Sequence, residues 1–189
     1  MEGLKRRVVV TGMGVVSPIG IGNPAFWESV SKGVSGVSLI EGFDTTPYRT
    51  RIAAQIKGFD PLEYLSPQKV YATDRHTQFA LVATTSAVKD SGLMITEENK
   101  KNIGVIWGSS EGGIHTREEG YEMFFLKGPR AGDPMIMMKA MGVAPAANIS
   151  IEFGVRGFNY CFTNTCSTGA ITIGEGARLI RHGYIDAVI

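Results

Sequence analysis

Short apolar runs alternate along the chain with longer segments in which apolar residues recur at helical spacing. Four runs rich in β-branched or aromatic residues predict strands, at residues 7–11, 105–107, 158–163 and 184–189. We expect the first three strands to be buried. Residues 74–91 and 170–181 are the clearest predicted helices, and a glycine follows each within two residues. Because strands alternate with helices, the pattern predicts an α/β fold with a largely parallel sheet.

Composition narrows the classes of function. The chain has 189 residues, which is enough for one domain with a hydrophobic core. Its net charge of +1 argues against a nucleic-acid binder that relies on a basic field. No apolar run approaches the roughly 20 residues of a membrane helix, and the N-terminus does not resemble a secretory signal. Two cysteines make no disulfide framework, so a reducing cytoplasm is the simplest setting.

The stretch at residues 158–169 (FNYCFTNTCSTG) carries the most informative chemistry. A strand here leads through a sharp turn directly into a helix, and Cys166 lies at the N-terminus of that helix. Free N–H groups and the positive end of the helix dipole favour a thiolate at such a position. The same N–H groups suit an oxyanion that forms from a bound thioester. On the residues alone, Cys166 is either this nucleophile or a small buried hydrophobic side chain.

Two other features have weaker chemical interpretations. Cys161 lies in the middle of the predicted strand, away from any helix terminus, so we interpret it as a structural residue. Gly12 and Gly14 follow a strand, as in a dinucleotide-binding turn. However, Ser17 occupies the third glycine position, and Pro18 interrupts the helix that such a turn requires. We therefore predict neither a cofactor nor a metal site.

Several motifs, in order along the whole chain, resemble one enzyme family. The matching segments are residues 6–20 (RRVVVTGMGVVSPIG), 26–27 (FW), 33–36, 74–83, 108–113 (GSSEGG) and 166–169 (CSTG). Together they resemble the N-terminal half of β-ketoacyl-acyl-carrier-protein synthases of the I/II type. The opening motif and the cysteine turn are specific only in combination.

The resemblance implies a thiolase-like, layered α-β-α-β-α fold, of which residues 1–189 are the first domain. Because the chain stops inside an apolar run, we expect it to be truncated before its last strands. It also implies an acyltransferase of fatty acid or polyketide synthesis, which condenses an acyl group held on Cys166 with malonyl carrier protein. The family's two catalytic histidines lie in its second half. His76, His115 and His182 match neither histidine, so we expect the chain alone to lack condensing activity.

The resemblance implies two partners, an acyl carrier protein and a second copy of the chain. Family members are homodimers in which the strand before the cysteine pairs with its two-fold copy, here residues 158–163. Two alternatives remain open at this point. The chain is a polyketide ketosynthase, or it is a non-condensing, chain-length-setting subunit. The presence of Cys166 argues against the second alternative.

The chain also departs from the family pattern. Asn164 and Thr165 replace the usual small residues before the cysteine, and Phe158 replaces a frequent proline. A helix that often carries several basic residues for carrier docking has only Lys69 here, within residues 66–74. These differences indicate a divergent member with a weaker basic docking surface.

Glu111 is the departure with the clearest functional consequence. The matching position in long-chain members is often apolar and gates the acyl tunnel. A carboxylate is costly to bury against a long alkyl tail. We therefore expect Glu111 either to limit the acyl length or to be a solvated loop residue without such a role.

Overall fold

Helices cover both faces of a small parallel sheet in the computed structural model, which describes residues 6–189. The helices are α1 (Asn23–Ser31), α2 (Pro67–Ala72), α3 (Arg75–Ser91), α4 (Ile114–Lys127), α5 (Ile136–Ala140), α6 (Ala144–Phe153) and α7 (Thr168–Arg181). The strands are β1 (Val16–Ser17), β2 (Gly20–Ile21), β3 (Ser38–Leu39), β4 (Ile52–Ala53), β5 (Ile103–Gly108), β6 (Asn159–Phe162) and β7 (Ala187–Val188). Short 3₁₀ helices span Pro61–Glu63, Lys100–Asn102, Pro129–Ala131 and Thr165–Ser167.

The principal sheet has the order β6-β5-β7, and both of its pairings are parallel. Gly108 at the end of β5 pairs with Phe162 at the end of β6. The remaining strands form two short antiparallel pairs, β1-β2 and β3-β4. The predicted α/β class with a parallel sheet is therefore confirmed.

Side chains that alternate between the two faces of β5 divide the core into two clusters. Ile103 and Val105 pack with α3 and α6 on one face of the sheet. Ile106 points to the other face and packs with Leu179 of α7. Successive side chains of a strand point to opposite faces, so one central strand serves both helix layers. This arrangement fixes α7, and with it the turn before α7, against the end of β5.

The prediction of a buried strand at residues 7–11 is wrong. These residues form no strand, and Val9 and Val10 are 58% and 77% exposed. The segment lines a cleft with β7 but does not pair with it, since β7 pairs only with β5 within residues 6–189. Strand propensity is expressed only where a neighbouring strand offers its hydrogen bonds and side chains. The segment is instead anchored after residue 11, where Gly12 packs directly against the backbone of α3.

Strand β6 forms as predicted, but the prediction that it is buried is wrong. It pairs with β5 on one side and has no second neighbour among residues 6–189. Tyr160 is 39% exposed, and the Phe158 and Tyr160 rings stack with centroids 5.4 Å apart. The strand is therefore an edge strand that carries aromatic side chains. In residues 6–189, no helix combines the length and the apolar character that crossing a bilayer requires.

Candidate active site

Two loops leave the same edge of the sheet, where β5 and β6 end. The Ser109 N–H, which begins the loop after β5, donates to the Phe162 carbonyl at 3.2 Å. The carboxyl ends of adjacent parallel strands are the usual place for binding sites in α/β folds. One loop carries Glu111 and the other carries Cys166, so the fold brings both predicted site residues to one edge.

Cys166 lies on a strained turn between β6 and α7. Thr165 has a φ of +48° and is the only non-glycine residue with positive φ among residues 6–189. A β-branched residue in this region is unusual and costs about 1–3 kcal/mol, which the surrounding structure must offset. A turn of this kind lifts the next side chain away from the sheet, and Cys166 is exposed. The nucleophile interpretation therefore agrees with the geometry, whereas the alternative of a buried hydrophobic side chain does not.

The backbone around Cys166 offers a site for negative charge. Cys166 belongs to the 3₁₀ turn Thr165–Ser167, which leads directly into α7. The hydrogen bonds of this turn use the N–H groups of Ser167 and Thr168, which leaves the Cys166 N–H unused by the turn. The first N–H groups of a helix lack intrahelical acceptors and attract anions. An oxyanion formed at a thioester on Cys166 would meet donors of this kind.

Cys161 has the opposite environment. Its Sγ lies 3.3 Å from the Gly142 carbonyl oxygen in a half-buried position on β6. Burial raises the pKa of the Cys161 thiol. A protonated thiol is a poor nucleophile, so the structural interpretation of Cys161 agrees with its surroundings.

Glu111 is solvated in the loop after β5. Its side chain is 68% exposed, and its Oε2 lies 3.7 Å from Arg117 Nη2. The same guanidinium donates to the Glu111 carbonyl at 2.6 Å. Two glycines hold this loop close to the C-terminal end of α5. The Gly113 N–H donates to the Ala140 carbonyl at 2.9 Å, and Gly112 has a φ of +71°.

Within residues 6–189, none of the three histidines makes a hydrogen bond or an ion pair with Cys166. His182 follows the last residue of α7, roughly 24 Å along the helix from Cys166 at about 1.5 Å per residue. His115 is exposed on α4, with Nε2 3.2 Å from Glu119. His76 is partly buried at the start of α3 and contacts Asp74. Their positions agree with the interpretation of these residues as surface or core histidines.

A buried polar network beside the Glu111 loop was not visible in the sequence. Asp74 caps α3 by accepting the His76 N–H at 2.9 Å, and its other oxygen accepts the Thr116 hydroxyl of α4. Burial alone would raise the pKa of Asp74, but hydrogen bonds from His76 and Thr116 lower it to about 2. Asp74 Oδ2 also lies against Gly113. Only the capping role has a local signature, because Thr116 is 42 residues away.

Helix α2, the candidate helix for docking the carrier protein, carries less positive charge than the family pattern implies. Lys69 of α2 is 22% exposed, and its ammonium lies 3.1 Å from Glu152 of α6. An ion-paired lysine contributes little free charge to a docking surface. The helix therefore gives little support to a strongly acidic partner at this position.

Comparisons with known proteins agree with this arrangement. The model of the β-ketoacyl synthase N-terminal domain matches residues 5–189. The 3-oxoacyl-[acyl-carrier-protein] synthase 2 of Vibrio cholerae is 41% identical over 185 residues, which cover 98% of this chain and 45% of that protein. The chain thus spans about half the length of the curated relatives that it matches.

Solved structures extend the similarity to the backbone. The ishigamide ketosynthase/chain length factor matches with a TM-score of 0.87 and 28% identity, over 97% of this chain and 46% of that one. A type II polyketide ketosynthase, solved in complex with its acyl-carrier protein, has a TM-score of 0.77 and 20% identity, over 94% of this chain and 47% of that one. This second likeness shows the fold alone. Because the family model covers nearly the whole chain and the fold is shared, the chain belongs to the β-ketoacyl synthase family, and residues 5–189 correspond to the N-terminal domain of that family.

Proposed function

We propose that Cys166 accepts an acyl group from the thioester of an acyl carrier protein. The observation that carries this proposal is the exposed cysteine on a strained turn at the N-terminus of α7. The named function of the Vibrio cholerae relative supports the choice of carrier.

The transfer balances without a cofactor. The Cys166 sulfur attacks the thioester carbonyl, and the resulting oxyanion is stabilised by backbone N–H groups at the start of α7. The bond between the carbonyl carbon and the carrier sulfur then breaks. The carrier leaves as a thiolate and takes up the proton that Cys166 lost. The product is an acyl group in thioester linkage to Cys166.

We further propose that the protein to which this domain belongs condenses this acyl group with malonyl carrier protein. Malonyl loses CO₂, and the carbanion equivalent attacks the acyl-enzyme carbonyl. The bond to Cys166 breaks, and 3-oxoacyl carrier protein is released. We place the reaction in the cytoplasm, where both cysteines stay reduced.

Transfer to Cys166 is tested with an acyl carrier protein charged with a short acyl chain. Intact-protein mass spectrometry should show one acyl group per chain, and peptide mapping should locate it on Cys166. The Cys166→Ala variant should take up none. The Cys161→Ala variant is the matched control and should be acylated like the unmodified protein. Acyl uptake that survives Cys166→Ala would contradict the proposal.

A polyketide ketosynthase is the second candidate function. The likeness to the ishigamide ketosynthase/chain length factor supports it at 28% identity. Cys166 favours an acyl-accepting subunit over a chain-length-setting one, because only the former needs a nucleophile. Addition of two or more malonyl units without reduction of the β-keto group between additions, measured in the protein's products, would favour the polyketide function over fatty acid synthesis.

We also propose that the chain forms a homodimer through residues 158–163. The support is the edge position of β6 and its exposed aromatic side chains. An unpaired apolar edge invites pairing with another strand, and a two-fold axis satisfies both edges at once. Light scattering should give the mass of a dimer, and Tyr160→Lys should shift it toward the monomer. A monodisperse monomer of the unmodified protein would contradict this proposal.

Glu111 remains a proposed acyl gate. Its exposed carboxylate and its contact with Arg117 are compatible with a selector of short or polar acyl groups. If Glu111 limits the acyl length, Glu111→Ile should extend the range of acyl carrier substrates that Cys166 accepts. An unchanged length profile would leave Glu111 as a solvated loop residue.

A further inference from the structure

The hydroxyl of Thr168 connects the two sides of the cysteine turn. Its Oγ1 accepts the Asn164 N–H at 2.8 Å and donates to the Thr165 carbonyl at 2.8 Å. A threonine hydroxyl can serve as acceptor and donor at once. The two bonds therefore join the residue that enters the turn to the strained residue directly before Cys166.

The position of Thr168 leaves this hydroxyl little freedom. Thr168 is 5% exposed, and it is the first residue of α7. Its methyl group packs against Gly108 at the end of β5, so closely that a side chain at Gly108 would overlap it. The side chain thus has two separate functions, because the methyl packs on the sheet while the hydroxyl binds the turn.

We propose that Thr168 is a positioning residue that holds the strained turn in the conformation presenting Cys166 to the acyl thioester. This inference rests on the proposed acyl transfer to Cys166 for its functional meaning. Thr168 does not touch the acyl group; it acts through Asn164 and Thr165. Small misplacements of a nucleophile cost large factors in rate, so loss of both hydrogen bonds should be visible in the kinetics.

Two substitutions separate the roles of the hydroxyl and the methyl group. Thr168→Val keeps the shape and the methyl contact but removes both hydrogen bonds. Thr168→Ser keeps the hydroxyl but removes the methyl group. We expect acylation of Cys166 to slow about 10- to 100-fold in Thr168→Val and to stay close to the unmodified rate in Thr168→Ser.

Thr172→Val is the matched control on the same helix. The Thr172 hydroxyl donates to the Gly169 carbonyl at 2.8 Å and makes no bond to the turn. The Thr172→Val substitution should therefore leave the rate of Cys166 acylation unchanged. Alkylation of Cys166 by iodoacetamide is measured for every variant, and thermal unfolding confirms that each is folded.

The outcomes distinguish this inference from the proposed function. If Thr168→Val is acylated and alkylated at the unmodified rates, or if Thr168→Ser is as slow as Thr168→Val, the positioning role is overturned. If the unmodified protein takes no acyl group, the proposed function fails. The alkylation rates then still decide the positioning role, which requires a changed rate in Thr168→Val alone.

Discussion

The end of β6 and the turn after it place two cysteines, five positions apart, in opposite environments. Cys161 points toward the Gly142 carbonyl, and burial raises the pKa of its thiol. Cys166 lies beyond a residue with positive φ and is exposed at the start of a helix. The difference teaches that the reactivity expected of a cysteine follows from the element that carries it, rather than from the residue type.

The largest expected effect is a difference in alkylation between the two cysteines. Near neutral pH, iodoacetamide should modify Cys166 roughly 100-fold faster than Cys161, because Cys161 is half-buried and its raised pKa keeps it protonated. Time-resolved peptide mass spectrometry measures both rates in one sample. The Cys161 rate should rise as the pH increases. Equal rates near neutral pH would remove the contrast between strand and turn.

The second test concerns the packing of the end of β5 against the first residue of α7, which follows the cysteine turn. A Cβ at Gly108 would lie 2.3 Å from Thr168 Cγ2, and two hydrogen bonds restrain Thr168. Gly108→Ala should therefore lower the free energy of unfolding by about 1–3 kcal/mol through overpacking. Chemical denaturation measures the change.

Gly174→Ala in α7 is the control for this substitution. A Cβ at Gly174 meets nothing within 4 Å. Alanine is the better helix former by about 1 kcal/mol, so this variant should be as stable as the unmodified protein or more stable. If the two variants behave alike, close packing at Gly108 is not what fixes the start of α7.

The smallest expected effect concerns the neighbouring loop after β5. The folded-state pKa of Asp74 is about 2, below its ordinary value of 3.8. This carboxylate therefore stabilises the fold above about pH 4, and the stabilisation is lost as the pH falls from about 4 to about 2. Asp74→Asn keeps a capping side chain but removes the charge. It should lower the free energy of unfolding at neutral pH by about 1–2 kcal/mol.

The free energy of unfolding is measured between pH 2 and pH 7 for the unmodified protein and for Asp74→Asn. The unmodified protein should lose stability more steeply in acid than Asp74→Asn. Identical slopes would show that ionisation of Asp74 contributes nothing to the stability of the fold.

Much of the fold was predictable because it follows local rules. The helix at residues 74–91 was recognisable from apolar spacing and its terminal glycine, and the structure forms it as Arg75–Ser91 with Asp74 as the cap. The central strand was recognisable as an apolar run. Residues 7–11 show where such rules end, since a β-branched run becomes a strand only beside a partner that donates and accepts its hydrogen bonds.

The sequence by itself determined the α/β class and the family resemblance, and it supplied the prediction that Cys166 rather than Cys161 is the nucleophile. These follow from the spacing of apolar residues, from the order of the motifs and from the position of each cysteine relative to the start of a helix. Only the tertiary structure decided that Thr165 has a positive φ, that Thr168 binds the turn, and that Asp74 reaches Thr116. Each of these depends on contacts between distant segments or on the surrounding packing. No local pattern encodes such contacts, because the same residues would find other partners in another fold.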